Sequence, residues 1–352
     1  MNFGKVLAET FTNMNIVSAI TSTIFIILLG FVLRKKNIFT AQFGKVLTKV
    51  VLSVSLPALA FNSFMAPIDQ KTLRQGINVL IFGIVVYIIL IFVTKLMYLK
   101  YPKGRGDVLS VLTTFGSTTF FGIPIVAAIY GAKGAMYASI FNIGYRIFLY
   151  SYAYIKMSGL EMDKKNIKQM FLNPIVIATF LGLILWIIQP YMPQVSAFNA
   201  ATNQTVQVAF YRIDLTALWL FKPLTYLAGL ASPLAWLAIG STLGEITLKS
   251  AASDKTSWYY TAMKVIAVPA INVILLVLLT VSHILPVDKV ALATIIIMMA
   301  TPTAAVASSY AIGFDREAVL ASNASLLSTI GAVIMMPIWI VVVSILGATG
   351  IF

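Results

Sequence analysis

Long apolar runs without charge recur along this chain, divided by short stretches that hold most of its charged residues. Ile16 to Leu33, Ile175 to Ile188 and Ala332 to Leu346 contain no charged residue at all. A membrane-crossing helix needs about 17–25 mostly apolar residues, because the hydrocarbon core is ~30 Å thick and a helix rises ~1.5 Å per residue. The pattern predicts ten such helices, over residues 15–34, 46–65, 76–98, 108–130, 134–157, 173–190, 223–245, 259–282, 288–312 and 317–346. The runs do not alternate polar with apolar, which excludes a transmembrane β-barrel. Residues 191–222 contain Asn199, Asn203, Gln204 and Thr205 between apolar stretches, and read as a long external loop with an interfacial portion.

Composition agrees with this pattern. Of 352 residues, 60% are hydrophobic and 10% charged, and the mean hydropathy is +0.94. A soluble domain of this length needs far more charge to cover its surface. The net charge of +14 raises the question of nucleic acid, but the basic residues are scattered over several loops with no stripe along one helix. They are better read as loops facing the anionic cytoplasmic leaflet of a lipid bilayer. Lys35, Lys49, Lys100, Arg105, Lys165, Lys249, Lys255 and Lys264 belong to the loops after odd-numbered spans, which hold seventeen of the 25 basic residues. The positive-inside rule therefore predicts an inner-membrane, multi-pass protein with both termini outside. Residues 1–14 carry Lys5 and Glu9, and no small-x-small cleavage site stands between the first apolar run and Arg34-Lys35-Lys36, so the first helix is expected to be retained. With no cysteine, disulfides and thiolate metal sites are excluded, and no cofactor or metal is expected.

The two halves echo each other. Gly122-Ile123-Pro124, Tyr130 and Ala135 to Asn142 correspond to Ala300-Thr301-Pro302, Tyr310 and Ala318 to Ser325. A weaker echo joins Ser55-Leu-Pro57 to Ser232-Pro233. Five spans per half is an odd number, so the second half must be inverted relative to the first, as in many secondary transporters. This predicts a first five-helix repeat over 1–170, the sixth helix and external loop over 171–222, and the remainder of the second repeat over 223–352. Pro124 and Pro302 both stand mid-span in contexts rich in Gly, Ser and Thr, and proline interrupts a helix. Spans 4 and 9 are therefore expected to be broken, with half-helix N-termini near the midplane. Such ends carry roughly +0.5 charge and unpaired N–H groups, a setting for an anion.

Phe115 to Pro124, Asn173-Pro-Ile-Val through Gly182, Ser232-Pro through Gly240, and Thr301-Pro-Thr through Thr329, in this order and spacing, resemble the auxin efflux carrier family in its bacterial, malate-permease-like branch. The resemblance covers nearly the whole chain. It implies an all-α polytopic fold of ten transmembrane helices in two inverted five-helix repeats, with helices 4 and 9 crossing at their prolines. It also implies transport of small organic anions. More distantly, the layout is similar to that of sodium-coupled bile-acid symporters. Family members often carry Asn seven residues before the span-4 proline; this chain has Ser117 there.

Arg146 is the only basic residue this reading places well inside a span. An intramembrane arginine costs about 2.5–3.5 kcal/mol to insert and should face the bundle interior or water. It suits a bidentate clamp on a carboxylate, though it could equally pin helices by bonding carbonyls. Asn142, four residues earlier, shares its face. Ser117, Thr118, Thr301 and Thr303 are candidate substrate donors or caps of the broken ends. Gly122, Pro124 and Pro302 are expected to set the crossover geometry. Ser325 and Ser328 read as packing residues, Asp315 as the cap of span 10, and His283 as interfacial. No acidic residue falls at a predicted midplane. The expected function is a secondary transporter of a small organic anion, a C4-dicarboxylate such as malate, working by alternating access. A sodium-coupled symporter and an anion channel are the alternatives. An enzyme is not expected: the chain has no HExxH, no Cys and no paired intramembrane aspartates. A homodimer is left open.

Overall fold

A computed structural model describes residues 12, 14–40, 42–159, 172–200, 203–245 and 248–352. The boundary expected at 170/171, and Lys5, Lys164, Lys165 and Lys168, lie outside the described residues. In chain order the elements are α1 (Met14–Lys35), α2 (Phe43–Ser63), α3 (Gln70–Met97), α4 (Lys103–Thr114), α5 (Thr118–Ser158), α6 (Pro174–Tyr191), β1 (Gln194–Asn199), β2 (Gln204–Ala209), α7 (Leu218–Gly244), α8 (Lys255–Val281), α9 (Lys289–Met299), α10 (Ala305–Gly313) and α11 (Ala318–Gly347). Eight of the helices are long and apolar enough to cross a membrane: α1, α2, α3, α5, α6, α7, α8 and α11.

Helix starts are set by short polar side chains, which satisfy N–H groups that have no intrahelical partner. Asp69 accepts from the Thr72 N–H at 2.8 Å, Asn173 from Ile175 at 3.1 Å, Asp254 from Thr256 at 3.0 Å, and Asp288 from Val290 and Ala291 at 3.0 and 2.9 Å. Scarce acids are thus spent at helix ends. The expected cap at Asp315 is not made. Helix α11 begins after Glu317, whose side chain makes no capping bond, and both acids lie in left-handed backbone at φ 52° and 51°.

Helix α5 has 41 residues, about 60 Å at ~1.5 Å per residue and twice the hydrocarbon core. It is not one rod. Gly131 adopts φ 59° and ψ −147°, a conformation that L side chains rarely take, and interrupts the helix there.

The long helices wrap the short ones. Every residue from Ala291 to Met299 of α9 is buried, as is Val108 to Thr114 of α4. From Ala291 on, α9 is apolar on nearly every face and so belongs in a core. The buried turns of α4 instead carry Ser110, Thr113 and Thr114, whose hydroxyls bond Thr94 and Tyr98. In contrast, α1 presents Phe25, Leu28 and Leu29 outward. Helix α1 packs on α7, α6 on α2, α3 on α5 and α8 on α11.

Residues 194–209 depart from the expected loop. They form an antiparallel hairpin, with Gln194 opposite Ala209 and Asn199 opposite Gln204. Alternation in Val195, Ala197 and in Val206, Val208 is the strand signal, short enough to be lost among long apolar runs. The buried Arg212 secures the hairpin's exit by two 2.7 Å bonds to Asp214 and one of 3.1 Å to Gln189. Helix α7 then starts at Leu218, earlier than the hydropathy suggests, and carries Pro223 within it.

Candidate functional site

The chain breaks twice, and the two breaks meet. Between α4 and α5, Phe115 to Ser117 is non-helical; between α9 and α10, Ala300 to Ala304 is likewise. Gly116 pairs with Thr303 as an antiparallel bridge. The Ser117 N–H donates to the Pro302 carbonyl at 2.7 Å, and the Ala304 N–H donates to the Phe115 carbonyl at 3.0 Å. In an apolar interior every interrupted helix must satisfy its backbone groups within the protein. Here each break satisfies the other. The approach is too close for side chains. A Cβ on Gly116 would lie 2.3 Å from Thr301 Oγ1, and one on Gly122 would lie 2.6 Å from Met298 Sδ.

Two helix N-termini leave this crossing, that of α5 after Ser117 and that of α10 after Ala304, and neither has a side-chain cap. Both border one cavity of about 300 Å³, whose wall includes Ser117, Thr119, Pro302, Thr303, Ala304 and Ala305. Arg146, Tyr145 and Tyr150 from α5, Asn173 from the start of α6, and Ser325 and Thr329 from α11 complete much of it. This is the lower end of the size range for small-molecule sites. Arg146 is 6% exposed, and its Nη2 is buried without a hydrogen-bond partner. Among the described residues no acidic side chain forms an ion pair with it; the pairs present are Lys133–Asp288, Lys156–Asp107 and Arg212–Asp214. A guanidinium with spare donors and two N-terminal helix ends, each worth about +0.5 charge, thus share one small cavity. All three favour an anion.

Comparison with known proteins bears on what this cavity serves. The profile of the membrane transport protein family matches residues 15–170 and 158–340. The chain belongs to that family. An uncharacterized transporter of Methanothermobacter thermautotrophicus is 23% identical over 333 residues, covering 92% of this chain and 97% of that protein. A second uncharacterized transporter, from Methanocaldococcus jannaschii, is 21% identical over 234 residues, or 64% of this chain and 68% of its own length. The resemblance to auxin efflux carriers holds at the level of the family, and the protein is a multi-pass membrane transporter.

The residues singled out in the transporter's sequence fall in three groups. Arg146, Ser117, Pro302 and Thr303 line the cavity. Asn142 stands behind it: fully buried, it donates from Nδ2 to Thr119 Oγ1 at 3.3 Å and leaves Oδ1 without a partner. Thr118 and Thr301 are also fully buried, away from the cavity wall, and Thr301 donates back to the Met298 carbonyl at 2.8 Å. Thr303 does two jobs. Its backbone N–H reaches Ser328 Oγ at 3.2 Å, and its hydroxyl bonds Tyr260 and Ser328 at 2.5 and 2.8 Å.

One expectation about the crossing needs correcting. Pro302 lies in it, but Pro124 does not. The first break falls at Phe115 to Ser117, and Pro124 follows a wide π turn, Thr118–Gly122, at the start of regular helix. Proline cannot donate to the preceding turn, so the turn opens where Pro124 enters, and the break is placed by Gly116. Gly122 does meet the crossing, through Met298 and Thr301.

A second correction concerns Lys264. The charge pattern assigned it to a loop, leaving Arg146 as the lone intramembrane cation. Lys264 instead lies in the π turn Met263–Ala267 inside α8 and is 1% exposed. Its Nζ donates to the Thr113 carbonyl at 2.8 Å. The sequence signal was present: Lys264 is nine residues beyond Lys255, where α8 starts, which places it within the span. Tyr150, four residues beyond Arg146 on the same helix, is readable from the spacing that places Asn142 there. Thr119, Asn173 and Thr329 come from the far part of α5, from the start of α6 and from α11, which only folding brings to Arg146. Among the described residues no group of three or more His, Asp or Glu converges to hold a metal ion.

Proposed function

We propose that this transporter carries a small organic anion, a carboxylate of the C4-dicarboxylate class such as malate, bound between Arg146 and the two uncapped helix ends. The unpartnered guanidinium of Arg146 in a cavity that also receives both N-termini is the observation that carries the reading. Without an anion, three positive elements face one another across a low-dielectric space. A carboxylate relieves that repulsion and can accept a bidentate pair from arginine. A second carboxylate on the same molecule would reach the helix end that the first leaves free.

The same reading takes the eight long helices as part of ten spans. Gly131 divides α5 in two, so that α4 with the first part of α5 makes one broken span, and α9 with α10 makes another. The packing supports an inverted repeat of five and five. Exchanging the first span with the sixth, the second with the seventh, the third with the eighth and the fifth with the tenth turns α1 on α7 into α6 on α2, and the packing of α3 on the second part of α5 into that of α8 on α11. The cavity reaches Thr48 beside Lys49, and Asn173 just past the stretch holding Lys164 and Lys165. With the lysine-rich loops cytoplasmic and both termini outside, this is a cytoplasm-facing state of an alternating-access cycle.

Purified protein in liposomes, loaded with labelled malate and challenged with unlabelled mono-, di- and tricarboxylates, tests the reading. Saturable flux with competition strongest among dicarboxylates is expected, and Arg146→Ala abolishes it. Flux of a different solute class that survives Arg146→Ala would refute the assignment.

A further inference from the structure

Beside the crossing, outside the cavity wall, lies another buried cation, Lys264. Helix α4 ends there. The last four carbonyls of a helix have no intrahelical donors, and their aligned dipoles place about −0.5 charge at that end. In water such an end is solvated; inside a membrane it must be met by the protein or by an ion. In carriers built on broken helices, half-helix C-termini and unwound carbonyls are where a coupling sodium ion is held.

Here that place is taken. Lys264 Nζ lies 2.8 Å from the Thr113 carbonyl. It also packs on the unwound segment: a Cβ on Gly116 would come within 3.0 Å of Nζ and 3.4 Å of Cε, so the ammonium fills the space beside the break. The Thr113 hydroxyl is held by Tyr98 at 2.7 Å, and Thr114 is tied to Thr94 at 2.9 Å. The lysine's own platform is fixed as well, since Trp339 Nε1 donates to the Val265 carbonyl at 2.8 Å. Among the described residues no acidic side chain pairs with Lys264. The helix end itself is its counter-charge. The second break is served differently: at the end of α9 a neutral hydroxyl, Thr301, bonds the Met298 carbonyl.

We propose that Lys264 is a built-in cation standing where a coupling sodium ion would sit, so that this transporter neither binds nor requires sodium. The role is one of positioning. The Lys264 amine holds the end of α4 against the break and donates there to a carbonyl that an ion would coordinate. The inference deepens the proposed anion-carrier function, but its binding measurements need no anion.

The test compares sodium with choline at equal ionic strength, on purified wild-type protein, Lys264→Ala and Lys264→Met. For the wild type, thermal unfolding is expected to be the same in both salts, radiolabelled sodium to show no saturable binding, and anion flux in liposomes to be the same with either cation. Lys264→Ala empties the place and is expected to gain stabilisation by sodium that choline does not give. Lys264→Met fills the space without charge and is expected to lose about tenfold in flux under both cations. Saturable sodium binding or sodium-dependent flux by the wild type would overturn the proposal, and needs no variant to fold. A folded Lys264→Ala with wild-type flux and no response to sodium would overturn it too. A wild type that binds no sodium but moves no carboxylate would count against the proposed function and leave this inference intact.

Discussion

Arg146 and Lys264 are two buried cations at one crossing, and the helix ends they meet differ in sign. Lys264 meets the carbonyl end of α4 and is satisfied by it. Arg146 shares a cavity with the amide ends of α5 and α10, so that the charges around it add to its own. Helix direction makes the difference. A broken helix presents its negative end on one side of the break and its positive end on the other. A cation on the first side is met by carbonyls, and a cation on the second adds to the positive potential of the amide ends. The role of a buried charge in a membrane protein thus depends on the helix end it faces, beyond its mere presence in a span.

The sharpest way to break this comparison is at Arg146. Arg146→Gln is expected to weaken anion binding about 100-fold, equivalent to roughly 2.7 kcal/mol, which isothermal titration or competition flux would measure. A loss below a few-fold would place the anion elsewhere. The two cations should then part in stability. Lys264→Met removes a charged donor from a buried carbonyl and is expected to cost about 2 kcal/mol of anion-free stability. Arg146→Gln removes an unrelieved charge and is expected to raise it by about 1 kcal/mol. Thermal unfolding of the two variants side by side shows whether the signs are opposite; equal signs would end the distinction.

The crossing itself can be tested directly. Gly116→Ala puts a methyl into space held by Thr301 Oγ1, and should lower stability by about 2 kcal/mol while reducing anion affinity. Unchanged unfolding would mean that the breaks are not locked together. The smallest effect belongs far from both cations. Asp69 caps α3 outside the span, and hydrogen bonds from the Thr72 hydroxyl and N–H hold its carboxyl below the usual value. Because the folded pKa is lowered, its contribution is complete above the unfolded value near 3.9 and is lost as pH falls through the folded value. Asp69→Ala should cost about 1 kcal/mol at neutral pH and nothing in strong acid, with anion affinity unchanged.

Much of this was legible in the sequence. The long uncharged runs set the helices, since lipid demands length and apolarity before any packing occurs. Membership in a transporter family was readable from motifs near Phe115, Asn173, Ser232 and Thr301. Arg146 stood out because an isolated arginine in an apolar run is costly wherever the run packs. The sequence determined these points because each depends on residues adjacent in the chain. Tertiary structure decided the rest. That the break falls at Gly116 and not at Pro124 follows from the close approach of Thr301, far away in sequence. That Thr119, Asn173 and Thr329 share a wall with Arg146 depends on the two parts of α5 meeting α6 and α11. Lys264 is the clearest case. Counting charges gives Lys264 to a loop although the span predicted over 259–282 contains it, because such a count cannot see what awaits the charge inside. Here a bare helix end awaited it, supplied by residues some 150 positions earlier, and only the folded chain brings that end to the lysine.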